Sequence, residues 1–103
     1  MIINQIKKFI EDRNWSQFHT PANLAKSIVI ESAELLENFQ WDDQYDLEQV
    51  TQELADVLIY SYQLAISLDL DAEKIIEDKM RVNEKKYPIE KAKNSSKKYT
   101  EFS

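Results

Sequence analysis

The chain has 103 residues, with 13 Lys and Arg against 19 Asp and Glu, a single His, and a formal charge of -6. That describes one small acidic domain. With Gly 0 and Cys 0 there is no GxGxxG or Walker turn to cradle a phosphate, no disulfide framework, no thiolate nucleophile and no cysteine zinc site. One His excludes HExxH and the paired Glu-x-x-His ligation of di-iron bundles. A chain this size removes only about two thirds of its unfolded surface from water, so association is expected to supplement a thin core.

Ile2, Ile3, Ile6, Phe9 and Ile10 follow the i, i+3, i+4 rhythm of one apolar face and predict a first helix over about 2–13. Lys7, Lys8 and Glu11 interrupt any run long enough for a signal or membrane segment, so a cytoplasmic location without membrane attachment is expected. The acidic balance argues against binding a nucleic-acid polymer, which requires clustered cations. Thr20 followed by Pro21 supplies a capping oxygen and a proline at the first helical position, starting a second helix that should run to about Gln40.

Residues 41–45 read as a polar loop, and Asp46 with Gln49 resembles a capping box for a third helix reaching about Leu68. Asp71 can cap a fourth, which Pro88 should stop near Lys86. The stretch 89–103 is rich in Lys, Ser and Asn and reads as a frayed polar tail or, alternatively, a strap over a neighbouring subunit. No segment alternates as a strand does. The expectation is an all-α, four-helix-bundle-like fold, with a helical domain over 1–88 and a tail over 89–103.

The chemistry lies in carboxylates. Glu31 and Glu34 are three residues apart on the second helix, and Glu53 and Asp56 repeat that spacing on the third, so each pair projects from one helical face. The third helix is apolar over nearly its whole circumference (Val57, Leu58, Ile59, Leu64, Ala65, Ile66), which predicts that it is buried. Glu53, Asp56 and Tyr60 fall in one stripe of it, so two carboxylates and a phenol are expected to face inwards. Burying unpaired carboxylates is costly, and facing acidic pairs repel, so a cation is expected between them. Oxygen-only donors select a hard ion such as Mg²⁺, which is commonly shared with substrate phosphates. The competing reading is that these are ordinary solvated charges on amphipathic helices.

Other residues also have two readings. Trp15, Phe18 and Trp41 could stack on a base or pack in a core, and His19 could contact a ligand or backbone at the second helix start. Lys79, Asn83 and Lys86 share one face of the fourth helix, suited to phosphates or simply to solvent and the helix C-terminus.

In order, Glu31-Ser-Ala-Glu34 and Glu53-Leu-Ala-Asp56 resemble the E-x-x-E…E-x-x-D signature of MazG-like all-α nucleoside triphosphate pyrophosphohydrolases. The run from Asn14 to Pro21, Phe39-Gln40-Trp41, Asp56 to Tyr60, and Lys79 to Pro88 resemble motifs of the dCTP pyrophosphatase branch. The resemblance implies that Glu31, Glu34, Glu53 and Asp56 hold Mg²⁺, and that Trp15, His19, Trp41 and Tyr60 line a nucleoside pocket. Lys79, Asn83, Lys86 and Tyr87 would approach the phosphates or sugar.

It further implies cleavage of a (deoxy)nucleoside triphosphate, dCTP or a modified relative, to the monophosphate and pyrophosphate. Glu31 or Glu34 would accept the proton of the attacking water, in a homodimer or homotetramer serving nucleotide-pool sanitation. Many relatives carry two adjacent glutamates at the first signature position, whereas here the first of them is Ile30, which leaves the metal count open. Two alternatives stand: a non-catalytic helical protein-interaction module, and a related hydrolase of a phosphoribosyl nucleotide or dUTP.

Overall fold

The computed structural model describes residues 1–41 and 43–101. Position 42 of the predicted loop and positions 102–103 of the predicted tail lie outside the described residues. Four main helices, α1 (Ile2–Asp12), α2 (Pro21–Glu37), α3 (Leu47–Ser67) and α4 (Ala72–Lys86), are joined by a 3₁₀ turn at Trp15–Phe18 and followed by a one-turn α5 (Ile89–Ala92). No strand occurs among the described residues. The fold is all-α, as the periodicity predicts.

The chain divides into two compact units, Met1–Leu70 and the residues from Asp71 onward. In the first unit α2 packs chiefly on α3, and α1 lies on α3 as well. Two hydrogen bonds fix α2 and α3 as antiparallel neighbours. At one end the Asn38 side chain, just past α2, donates to Glu53 Oε2 near the start of α3; at the other, Ser67 Oγ at the end of α3 donates to the His19 carbonyl just before α2 (3.2 Å).

Local chemistry sets the helix starts. Thr20 Oγ1 accepts from Asn23 N at 3.1 Å, and Asp71 Oδ1 accepts from Lys74 N at 3.1 Å, each satisfying an otherwise orphaned donor. Asp46 also caps α3, but through Glu48 N (3.0 Å); the Gln49 side chain turns instead to Glu53 Oε1 (3.4 Å), so the predicted reciprocal box does not form. In a chain without glycine, left-handed backbone falls on Asn14 (φ 53°), Asp69 (φ 56°) and Asn94 (φ 65°), residues whose short polar side chains tolerate that region best.

The core of the first unit is small. Ile6 and Ile10 of α1, Leu24 of α2 and Ala65 of α3 are buried, Leu24 most completely at 1% exposure. The expectation that α3 is buried all round does not hold: Leu54, Leu58 and Ile59 remain exposed, Leu58 by 52%. The physical reason is geometric. Two helices cannot enclose a 21-residue rod, and the faces that α1 and α2 leave uncovered stay at the surface of the single chain.

The second unit contains α4 and α5. Lys74 and Arg81 both pair with Asp78, at 3.2 and 2.9 Å, and Lys85 and Lys86 end α4, where cations complement the helix dipole. Pro88 stops α4 as predicted. The stretch beyond it is not uniformly irregular, since Ile89–Ala92 forms a helical turn and Tyr99–Glu101 a 3₁₀ turn.

Candidate functional site

The four signature carboxylates come from the adjacent helices α2 and α3. Glu31 and Glu53 are half-buried, and Glu34 and Asp56 are exposed. Their mutual influence falls most clearly on Glu31, whose carboxyl is held above its ordinary value of 4.5. Partial burial contributes most, followed by a hydrogen bond with the Glu34 side chain and then the negative charges of Glu34, Asp56 and Glu53. Thus both acidic pairs share one electrostatic neighbourhood.

Two corrections apply to the predicted cage. The carboxylates stand at the rim of the helix pair rather than inside an apolar interior, because α3 is only partly covered. Among the described residues, no group of three or more acidic or His side chains converges closely enough to hold a metal ion by itself. The donor set nevertheless fits a hard cation: oxygen ligands only, repelling one another, on two adjacent helices. Repulsion among uncompensated carboxylates favours a splayed arrangement, and a divalent charge reverses that balance.

A residue the spacing rules overlooked orients this cluster. Asn38 donates to Glu53 Oε2 and to the carbonyls of Leu35 (3.1 Å) and Glu34 (3.3 Å). It therefore ends α2 at Glu37, earlier than the predicted Gln40, and couples the end of one acidic helix to the start of the other. Gln49 holds the second oxygen of Glu53. The only available signal was the position of an amide at a predicted helix end.

Beside the carboxylates lies a cavity of about 360 Å³, within the range of small-molecule sites. Asp56, Ile59, Tyr60 and Gln63 of α3 form one wall, Ile2, Gln5, Ile6 and Phe9 of α1 another, and Trp15 joins them. Along α3 the residues Glu53, Asp56, Tyr60 and Gln63 recur at helical spacing, so a single stripe runs from the acidic cluster into the cavity, with Asp56 common to both. Phe9 and Trp15 meet edge to face at 5.6 Å, and Trp15 meets His19 in the same manner at 6.4 Å. The Arg13 guanidinium lies 3.7 Å from the Phe9 ring centre.

Of the predicted nucleoside-pocket residues, Trp15 and Tyr60 line the cavity and His19 adjoins it through Trp15. Trp41 does not line it and is 86% exposed. Lys79, Asn83, Lys86 and Tyr87 belong to the second unit, where Tyr87 N bonds the Asn83 carbonyl at 2.8 Å. Ile30, next to Glu31 in the chain, is exposed.

Residues 26–102 match the MazG-like family, and the chain belongs to that family. Its curated relatives include human dCTP pyrophosphatase 1, 38% identical over 92% of this chain, and the rat protein of the same name at 35%. The chain spans 62% of the length of these mammalian relatives. Among solved structures it resembles a pyrophosphatase from Archaeoglobus fulgidus, with 41% identity, a TM-score of 0.74, and coverage of 84% of this chain and 89% of that one.

Proposed function

We propose that this protein is a metal-dependent nucleoside triphosphate pyrophosphohydrolase acting on dCTP or a closely related deoxynucleotide, and yielding the monophosphate and pyrophosphate. The observation that carries the reading is the stripe on α3 that joins an oxygen-only acidic cluster to a nucleoside-sized cavity through Asp56. The likeness to two mammalian proteins named for dCTP supports the choice of substrate, and the donor chemistry favours Mg²⁺.

Glu31, Glu34, Glu53 and Asp56 would hold the ion. When bound, it neutralises the phosphate charge and acidifies the attacking water. The chain supplies the rest. Asn38 and Gln49 fix the Glu53 carboxylate, and Trp15 and Tyr60 bound the space for the nucleoside. In hydrolysis, water oxygen bonds to the α-phosphorus as the α–β bridging bond breaks and pyrophosphate leaves. Glu31 or Glu34, three residues apart on α2, accepts the water proton at a carboxylate oxygen.

His19 and Trp41 complete the nucleoside contacts in this reading, while Lys79, Asn83, Lys86 and Tyr87 meet phosphates or sugar. The exposed apolar side chains Val29, Ile30 and Leu36 of α2 and Leu54 and Leu58 of α3 support a homodimer or homotetramer, since patches of this kind mark association surfaces. No helix among the described residues is long and apolar enough to cross a membrane. Nucleotide-pool sanitation in the cytoplasm is the corresponding biological role.

The test is a panel of nucleoside triphosphates incubated with Mg²⁺, with released pyrophosphate as the readout. Turnover of dCTP that disappears in Glu53→Gln and Asp56→Asn, with helical content retained, is the expected result. Failure to release pyrophosphate from any member of the panel overturns the proposal, and parental turnover in either variant overturns the metal assignment.

A further inference from the structure

Among the described residues, Gln63 is the one buried polar side chain of the first unit, at 5% exposure. Its Oε1 is buried and has no hydrogen-bond partner among the described residues. An amide oxygen removed from water without a partner is unfavourable, and native proteins retain such groups rarely. This one lines the cavity, on the helical stripe that begins at the carboxylates and passes through Asp56 and Tyr60.

The surrounding walls are mostly apolar: Ile2, Ile6, Phe9, Trp15 and Ile59. Such walls give an enclosed water few partners. From Asp56 to Gln63 the helix rises about 10 Å, comparable to the reach of a nucleoside from its phosphate oxygen to the far edge of its base. A ligand whose phosphates meet Asp56 and whose base enters between Trp15 and Tyr60 therefore presents its outer edge to Gln63.

We infer that Gln63 is a specificity-determining residue, whose side-chain oxygen accepts a hydrogen bond from the exocyclic amino group of a pyrimidine base. The inference rests on the nucleotide reading given above and adds to it the group that chooses the base. An exocyclic amine projects beyond the ring towards Gln63 in the cavity wall, where the soft terminal torsion of the side chain lets the amide turn its buried oxygen to the ligand. A base with a carbonyl at that position places oxygen against oxygen. Sites that pair a buried polar group with substrate reject analogues that leave it unpaired far more strongly than apolar pockets reject a change of size.

The experiment deletes each partner in turn. Pyrophosphate release is measured for dCTP and for its analogue lacking the 4-amino group, the 2-pyrimidinone deoxynucleoside triphosphate, using the parent, Gln63→Leu and Gln63→Met with Mg²⁺. The parent is expected to favour dCTP in kcat/KM by about tenfold or more, chiefly through KM. In both variants the preference collapses to about unity, while melting without ligand occurs no lower than in the parent. A merely structural glutamine would not move this ratio.

Retention of the parental ratio in the variants overturns the inference, as does a parent that treats the two substrates alike. Should both variants fail to fold, calorimetry of the parent with Mg²⁺ and non-hydrolysable forms of the two nucleotides decides: equal affinities overturn it, and a tenfold gap upholds it. A parent that hydrolyses no nucleotide instead removes the reading on which the inference stands. That result is distinct from active turnover with an unchanged ratio.

Discussion

Glu31→Gln should make the metal-free protein more stable, although it removes a residue placed at the centre of the site. Glu31 carries the repulsion of three neighbouring carboxylates together with a desolvation penalty, and both raise its proton affinity in the folded chain. Glutamine keeps the shape and removes the charge. Individual charge pairs at screened sites are worth about 0.2–1 kcal/mol, so at this half-buried position the relief should be about 1 kcal/mol. For a chain of this size that corresponds to a rise of about 4–8 °C in Tm.

The pH dependence has a defined sign. A carboxyl whose folded pKa lies above its unfolded value contributes stability that is fully present below the unfolded pKa and lost as pH rises through the folded one. Glu31 therefore makes the metal-free parent less stable at pH 7.5 than at pH 5, and the variant lacks that component. Thermal melts of both proteins in chelator across this range, read as the difference between them, isolate the group. Adding Mg²⁺ should raise the Tm of the parent by mass action and of the variant much less. If Glu31→Gln melts at or below the parent at pH 7.5 in chelator, the cluster is a set of independently solvated charges and the argument for a cation fails.

Asn38→Ala should leave the helices formed but weaken Mg²⁺ binding by about 10–100-fold, since it removes the outer hydrogen bond that orients Glu53; titration calorimetry with the metal alone measures this. Trp41→Ala should leave Tm unchanged, because that ring is 86% exposed, while raising the KM for nucleotide in steady-state assays. Leu24→Ala should cost about 2–5 kcal/mol, a large share of the total stability of a small domain. Urea unfolding at constant m-value reads that loss directly.

The helix starts were legible in the sequence because their causes are local. Thr20 and Asp71 find donors within three residues, and Pro88 acts on the residue before it. The end of α2 was not legible, because Asn38 stops it while reaching across to another helix, and Gln49 left its expected cap for the same carboxylate. The acidic pairs could be found from spacing alone. How far they were buried could not, since helical periodicity reports how apolar a face is and not whether this chain covers it, as Leu58 illustrates. Gln63 escaped notice because one amide in an apolar run signals nothing until a cavity opens beside it.

The absence of glycine also bears on how the chain folds. A polymer whose every residue carries a Cβ explores fewer conformations when denatured, so it relinquishes less freedom on becoming ordered. The opposing cost is concentrated at Asn14, Asp69 and Asn94, whose backbones turn left-handed without the residue best suited to do so. Introducing glycine at any of these corners would relax the native bend and loosen the random coil together, two effects of opposite sign. Such substitutions should leave thermostability nearly level, and gains are better sought in the uncovered apolar faces.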